Sequence, residues 1–265
     1  MEIEHKTLTC SGLELEVLTL GAGEPLLYLH GGLGPDVPNT DHLKALAQHY
    51  KVIAPRHPGF GHLDRPVQFR EISDLAYLYL NLIEDLGIAN GTLMGASFGG
   101  WLALEMMVRK PDAIAKLVLS APLGIKVRDR EERDISDFFA MTEAEFQVIA
   151  YADPSRAKRD INALNDADLA AYFRAQESLA AYSWEPYMHN PQLKLWLDRV
   201  KMPTLLVSGE QDRFVFEGYH AAFAEMLPTA KHHRIADAGH FPHVEQPEAF
   251  SRLLVETFSP KALSA

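Results

Sequence analysis

Gly95-Ala96-Ser97-Phe98-Gly99-Gly100 stands between two apolar runs of different length. Before it, Gly91-Thr92-Leu93-Met94 has the length of a buried strand. After it, Trp101-Leu102-Ala103-Leu104-Glu105-Met106-Met107-Val108 has the apolar spacing of a buried helix. A Gly-x-Ser-x-Gly between strand and helix is the nucleophile elbow, a turn too sharp for side chains at its flanks. With no Cβ on Gly95 and Gly99, strand and helix can close on each other and push Ser97 out at the tip. There it meets the amino end of a helix, where unpaired N–H groups favour negative charge.

The strand upstream reads Leu26-Leu27-Tyr28-Leu29, apolar without a break, as expected of a strand covered on both faces. It runs into the loop His30-Gly31-Gly32-Leu33-Gly34-Pro35. Asp41 to Tyr50 reads as a helix, Lys51 to Pro55 as a strand, and Arg56 to Gly61 as a second glycine- and proline-rich loop. Ser73 is the expected N-cap of a helix running through Leu75, Leu78, Leu82 and Leu86 to a stop at Gly87. Ile114 to Ala121 reads as a strand, and the alternation of His5 to Leu20 around Ser11-Gly12 as a hairpin. Strands and helices alternating at this spacing predict an α/β fold with a mostly parallel central sheet flanked by helices.

From about Gly124 to Arg199 the alternation stops. Thr142 and Glu145 have capping-box spacing, and Asp166 to Tyr182 is helical in period, so an inserted block of helices is expected there. The mixed-charge run Arg128 to Asp134 reads as a solvated helix face. The sheet pattern returns with Thr204 to Ser208, a helix near Tyr219 to Leu227, a strand near His233 to Ile235 and a closing helix from Glu248 to Phe258. Residues 1–123 and 200–265 are thus expected to form one core, and 124–199 an insertion over it.

Composition narrows the function. With 265 residues and 47% hydrophobic content the chain can bury a large core unaided. The formal net charge of −11 argues against nucleic acid or an anionic membrane surface as partner. Cys10 is the single cysteine, so no internal disulfide is possible and a packing role is expected. The start lacks the apolar stretch of a secretory signal, and no run approaches the roughly 18 residues that span a bilayer. The expectation is a soluble cytoplasmic monomer or homodimer whose partner is a small molecule.

A serine hydroxyl needs a base at hydrogen-bond distance, and the base needs an orienting carboxylate. In a parallel sheet the loops beyond the strand ends converge on one edge, which selects candidates just past strands. Asp212, in Ser208-Gly209-Glu210-Gln211-Asp212-Arg213, and His240, in Ala238-Gly239-His240-Phe241-Pro242, both qualify; Glu210 competes with Asp212. Oxyanion donors are expected at the N–H of Phe98 and of Gly32 or Leu33. His30 is expected to brace its loop. His243, three residues after His240, suggests a metal pair, but zinc requires a third ligand and no His-Glu-x-x-His occurs, so neither metal nor cofactor is called for.

With those residues placed, the chain resembles the α/β-hydrolase superfamily, in its lidded esterase and C–C hydrolase branch. The resemblance rests on His30-Gly31-Gly32, Gly59-Phe60-Gly61, the elbow through Gly100, Gly209 to Asp212 and Gly239-His240-Phe241-Pro242. It implies a serine, acid and base triad under a helical cap at 124–199, with the cap choosing the substrate. Ser97 disfavours haloalkane dehalogenases and epoxide hydrolases, which carry aspartate there. Leu33, Ala96 and Phe98 depart from the loop and elbow of proline iminopeptidases, and Leu33 with Asp36 from the loop of ring-cleavage C–C hydrolases. The expected function is hydrolysis of a small carboxylic ester. Cleavage of an activated C–C bond in a vinylogous diketone is the alternative, and a slow-turnover receptor of the same fold is the rival from another class. The cap aromatics and methionines, Phe138, Phe139, Met141, Tyr172, Phe173, Trp184, Tyr187, Met188 and Trp196, exceed what solvated helices need. Most are expected to pack the cap, with Phe139 and Trp184 the first candidates for the substrate pocket.

Overall fold

In the computed structural model, which describes residues 2–157, 161–259 and 262, the chain opens on the expected hairpin. Strands β1 (Glu4–Cys10) and β2 (Leu13–Leu20) pair antiparallel across Ser11-Gly12. Next come β3 (Glu24–Leu29), α1 (Asp41–Ala47), β4 (Tyr50–Pro55), α2 (Ile72–Leu86), β5 (Thr92–Ala96), α3 (Phe98–Arg109) and β6 (Lys116–Ser120). Among the described residues, 121–203 add no strand to the sheet; they hold α4 (Glu143–Ala150), α5 (Asp166–Ser183) and short 3₁₀ turns. The chain then closes with β7 (Thr204–Gly209), α6 (Tyr219–Glu225), β8 (Ala230–Ile235), α7 (Pro242–Glu245) and α8 (Pro247–Thr257).

The sheet has eight strands in the order β1-β2-β4-β3-β5-β6-β7-β8, antiparallel at β1-β2-β4 and parallel from β4 onward. Its parallel strands are apolar at consecutive positions because helices cover both faces. Leu27, Leu29, Leu93, Leu117, Leu119 and Leu206 point to the side where α2 and α3 pack. Leu26, Tyr28, Met94, Val118, Leu205 and Val207 point to the other, against Leu43 and Leu46 of α1 and Phe250 and Leu254 of α8. Cys10 is a buried packing residue of the first layer. No helix among the described residues is long and apolar enough to cross a membrane.

Two local expectations are corrected. The helix after the second loop is capped at Glu71, not at Ser73. The Asp74 carboxylate accepts the N–H groups of Arg70 and Glu71 at 2.8 and 3.0 Å, and the Ser73 hydroxyl donates to Glu71, so the first turn forms earlier. The run Arg128 to Asp134 is a loop rather than a solvated helix face. Asp134 is buried, and its carboxylate accepts the N–H of Val127 at 2.6 Å, Arg128 Nε at 3.0 Å and Lys126 Nζ at 3.2 Å. An ion held by that many donors organises the chain around itself, which a helix would not permit.

Candidate active site

The elbow is built by close approach. A Cβ on Gly95 would fall 2.3 Å from the Gly99 carbonyl oxygen, and one on Gly99 would fall 2.1 Å from that of Leu29. No side chain fits at either position. Ser97 is forced to φ +52° and ψ −115°, a region that non-glycine residues rarely occupy. Its amide donates to the Ser120 carbonyl at 2.9 Å, and its carbonyl accepts from Gly100 and Trp101 in α3, so both flanks hold the turn.

Three loops meet at Ser97 because they follow the carboxyl ends of β5, β7 and β8. His240 Nε2 lies 2.8 Å from Ser97 Oγ, and His240 Nδ1 lies 2.8 Å from Asp212 Oδ2. Asp212 is the carboxylate in reach; Glu210 is exposed, and its amide is spent on the Ile235 carbonyl. Burial by itself would raise the Asp212 pKa, but His240, with help from His220 and the Phe214 amide, holds it below the ordinary carboxylate range. An ionised Asp212 accepts the Nδ1 proton of His240. That leaves Nε2 as the lone-pair acceptor facing the Ser97 hydroxyl.

The oxyanion candidates also converge. Phe98 is the first residue of α3, so its N–H lacks an intrahelical acceptor. The Gly31-Gly32 backbone passes directly over the serine: a Cβ on Gly31 would fall 3.3 Å from Ser97 Cβ. His30 braces this loop as its position suggests. The His57 amide donates to its Nε2 at 2.9 Å, so the proton is on Nδ1, which donates to the Gly31 carbonyl at 2.6 Å. The two imidazoles stack 3.8 Å apart, and burial drives His30 well below the ordinary histidine range and His57 down to about 3. Both resist protonation and have their ring nitrogens already engaged, so neither competes with His240 as a base. His243 faces away, with its ring nitrogens on the Tyr28 and Ser120 hydroxyls at 3.1 and 2.9 Å. Those hydroxyls, rather than a metal shared with His240, explain its position.

A cavity of about 20 Å³ lies over Ser97, room for roughly one water. Its walls are Leu33, Phe98, Leu123, Phe214 and Phe241 from the sheet side and Phe138, Phe146, Leu179 and Met188 from the inserted segment; Ser97 and His240 are its polar side chains. Phe139 and Trp184, the first candidates for the substrate pocket, are not among them. Trp184 is 58% exposed, and Phe139 stacks edge-on against Phe138, Trp184 and Tyr187. Phe146 and Leu179 were not anticipated. They occur in helices of weak apolar periodicity, and their inward direction depends on how α4 and α5 dock.

The family model described as "alpha/beta hydrolase fold" matches residues 24–247. A 2-hydroxymuconate semialdehyde hydrolase of Pseudomonas putida is 26% identical over 97% of this chain and 94% of its own length. Two solved structures share the fold. A meta-cleavage product hydrolase from Pseudomonas fluorescens IP01 superposes with a TM-score of 0.76 at 23% identity, covering 97% of this chain and 98% of that one. Naproxen esterase from Bacillus subtilis superposes with a TM-score of 0.73 at 18% identity, covering 97% and 92%. The parallel sheet, the serine elbow after β5 and a family match over most of the chain lead to one assignment: this protein belongs to the α/β-hydrolase family.

Proposed function

We propose that the protein is a serine hydrolase that cleaves a small, neutral carboxylic ester without a cofactor. The observation carrying this is the relay Asp212–His240–Ser97, with both links at 2.8 Å, ending beneath an apolar cavity. Ser97 Oγ attacks the ester carbonyl carbon as its proton passes to His240 Nε2. The tetrahedral oxyanion accepts from the Phe98 N–H and from that of Gly32 or Leu33. His240 returns the proton to the leaving alkoxide oxygen, and an acyl-Ser97 ester remains. Water, deprotonated by His240, then attacks the acyl carbon; the acid leaves and Ser97 regains its proton. Residues 124–199 act as a cap that excludes water and selects the substrate by shape.

A second reading, hydrolysis of a C–C bond, is favoured by the names of several relatives, which include semialdehyde and dienoate hydrolases. A dienoate carries a carboxylate and needs a cationic partner in a buried site. The cavity over Ser97 is lined by no lysine or arginine. Arg56, beside an adjoining cavity, is already held by Asp36 through hydrogen bonds of 2.9 and 2.6 Å. This charge balance supports the neutral ester. The test is a panel of p-nitrophenyl esters from acetate to octanoate beside a vinylogous 1,5-diketone carboxylate. Sustained ester turnover with little diketone cleavage is expected. The reverse preference would establish C–C hydrolysis, and one acylation followed by a stall would identify a receptor.

A further inference from the structure

The last turn of α4 is fastened to both loops that carry the base and its orienter. On the Asp212 loop, the Arg213 amide donates to the Ile149 carbonyl at 3.1 Å, and its guanidinium donates to the Val148 and Tyr151 carbonyls at 2.6 and 3.2 Å. On the His240 loop, the His240 amide donates to the Ala150 carbonyl at 2.6 Å. Gly239 lies so close that a Cβ there would fall 2.4 Å from the Ala150 oxygen.

At the centre of this junction is Glu245, on α7, whose side chain is fully enclosed at 0% exposure. Its Oε2 accepts the Gly239 amide at 2.6 Å. Its Oε1 accepts the amides of Ala152 and Asp153, just past α4, at 2.9 and 3.2 Å. Arg156 donates to the Glu245 carbonyl oxygen. One buried carboxylate thus joins the residue before His240 to the inserted segment. Enclosing a carboxylate is costly, and burial pushes its pKa up against the pull of the three N–H groups. A group held in this way acts as a strut, and the atom it steadies is one residue from the base.

We propose that Glu245 is a positioning residue for His240, fixing the imidazole between Asp212 and Ser97 by tying Gly239 to the end of α4. The inserted segment then has two separate duties: its α4 end is scaffolding for the base, and α5 is wall. This rests on the reading of Ser97, His240 and Asp212 as a catalytic triad. Displacing a reacting group by about 1 Å costs on the order of 10²-fold in rate, which sets the size of effect to look for.

The test is Glu245→Gln, alone and combined with His240→Ala. The amide NH2 cannot accept, so at least one of the three buried N–H groups loses its partner. For p-nitrophenyl acetate, kcat is expected to fall on the order of 10²-fold with KM nearly unchanged, and the rate of fluorophosphonate labelling to fall in parallel. In the His240→Ala background the same substitution is expected to leave the residual turnover unchanged, because the group it positions is gone. Wild-type kcat in Glu245→Gln would overturn the proposal. An equal loss with and without His240 would also overturn it, since that marks a purely structural role. If Glu245→Gln does not fold, Glu245→Asp carries the same test, with kcat lowered, KM kept and the effect vanishing without His240. An unaltered protein that neither labels nor turns over would instead overturn the catalytic reading itself.

Discussion

The backbone at Ser97 is held at positive φ, and its hydroxyl lies 2.8 Å from His240 Nε2. Ser97→Ala is expected to abolish fluorophosphonate labelling and to lower kcat by about 10⁴–10⁶ with the fold intact, as read by adduct mass and steady-state kinetics. The two carboxylates near the site separate cleanly. Asp212→Asn keeps the shape but presents His240 with an amide, and kcat is expected to drop by roughly 10⁴. Glu210→Gln alters an exposed side chain and is expected to leave kcat within about twofold. Activity lost through Glu210 and kept through Asp212 would reverse the assignment.

Helix α5 shapes the site at the next scale up. Leu179 lines the cavity over Ser97 and presses on the loop; a Cβ on Gly32 would fall 2.7 Å from Leu179 Cδ2. One turn earlier, Ala175 lines an adjoining cavity of about 290 Å³, and Gly32 and Leu33 border both spaces. Leu179 lines the smaller space and Ala175, four residues before it on the same helix, the larger. Leu179→Ala is expected to join the two cavities and to raise kcat/KM for octanoate relative to acetate by at least about 10-fold, the worth of one or two methylenes. Removing this buried side chain should also cost about 2–5 kcal/mol in stability, seen as a lower urea midpoint. Trp184→Ala, at an exposed ring off the cavity, is expected to leave the chain-length profile unchanged. A profile that shifts for Trp184 and stays fixed for Leu179 would move the pocket back to the position expected from sequence.

At the scale of the whole molecule, five histidines are buried with their protonated forms disfavoured. Desolvation lowers His42 and His220 to about 4 and His57 to about 3, and drives His30 and His243 well below the ordinary value. The unfolded chain binds protons at these side chains from about pH 6.5 downward, whereas the native chain resists until far lower pH. Stability is therefore full above neutrality and lost as pH falls from about 6.5 toward 4. Each such histidine adds up to about 1.4 kcal/mol per pH unit to the slope. Urea midpoints at pH 7.5, 6 and 5 should fall in that order. His42→Phe, on a ring already edge-on to Tyr28 and His243, should flatten the slope by about one proton. A midpoint flat from pH 7.5 to 5 would contradict the burial of neutral histidines.

Local chemistry made much of this molecule legible before folding. The uninterrupted apolar runs of β3, β5 and β7 require cover on both faces, and glycines at 95 and 99 meet a turn that admits no Cβ. Residues placed just past strand ends must gather at one edge of a parallel sheet, so Ser97, Asp212 and His240 could be named from position. What sequence could not decide was the docking of the inserted helices. Helical period shows that α5 is a helix, but its apolar face is weakly marked, so the period does not show that Leu179 lines the cavity and Trp184, just past the helix, does not. Glu245 and Asp134 were equally hidden. Each is an ordinary acidic residue in the sequence; what sets it apart is its enclosure among N–H groups, those of Val127 and Arg128 in the same loop for Asp134 and those of Gly239, Ala152 and Asp153 for Glu245. The alternation of strands and helices and the place of each loop are written locally along the chain; the strand order β2-β4-β3-β5 and the amides just past α4 that meet Glu245 depend on which distant segments the fold brings together.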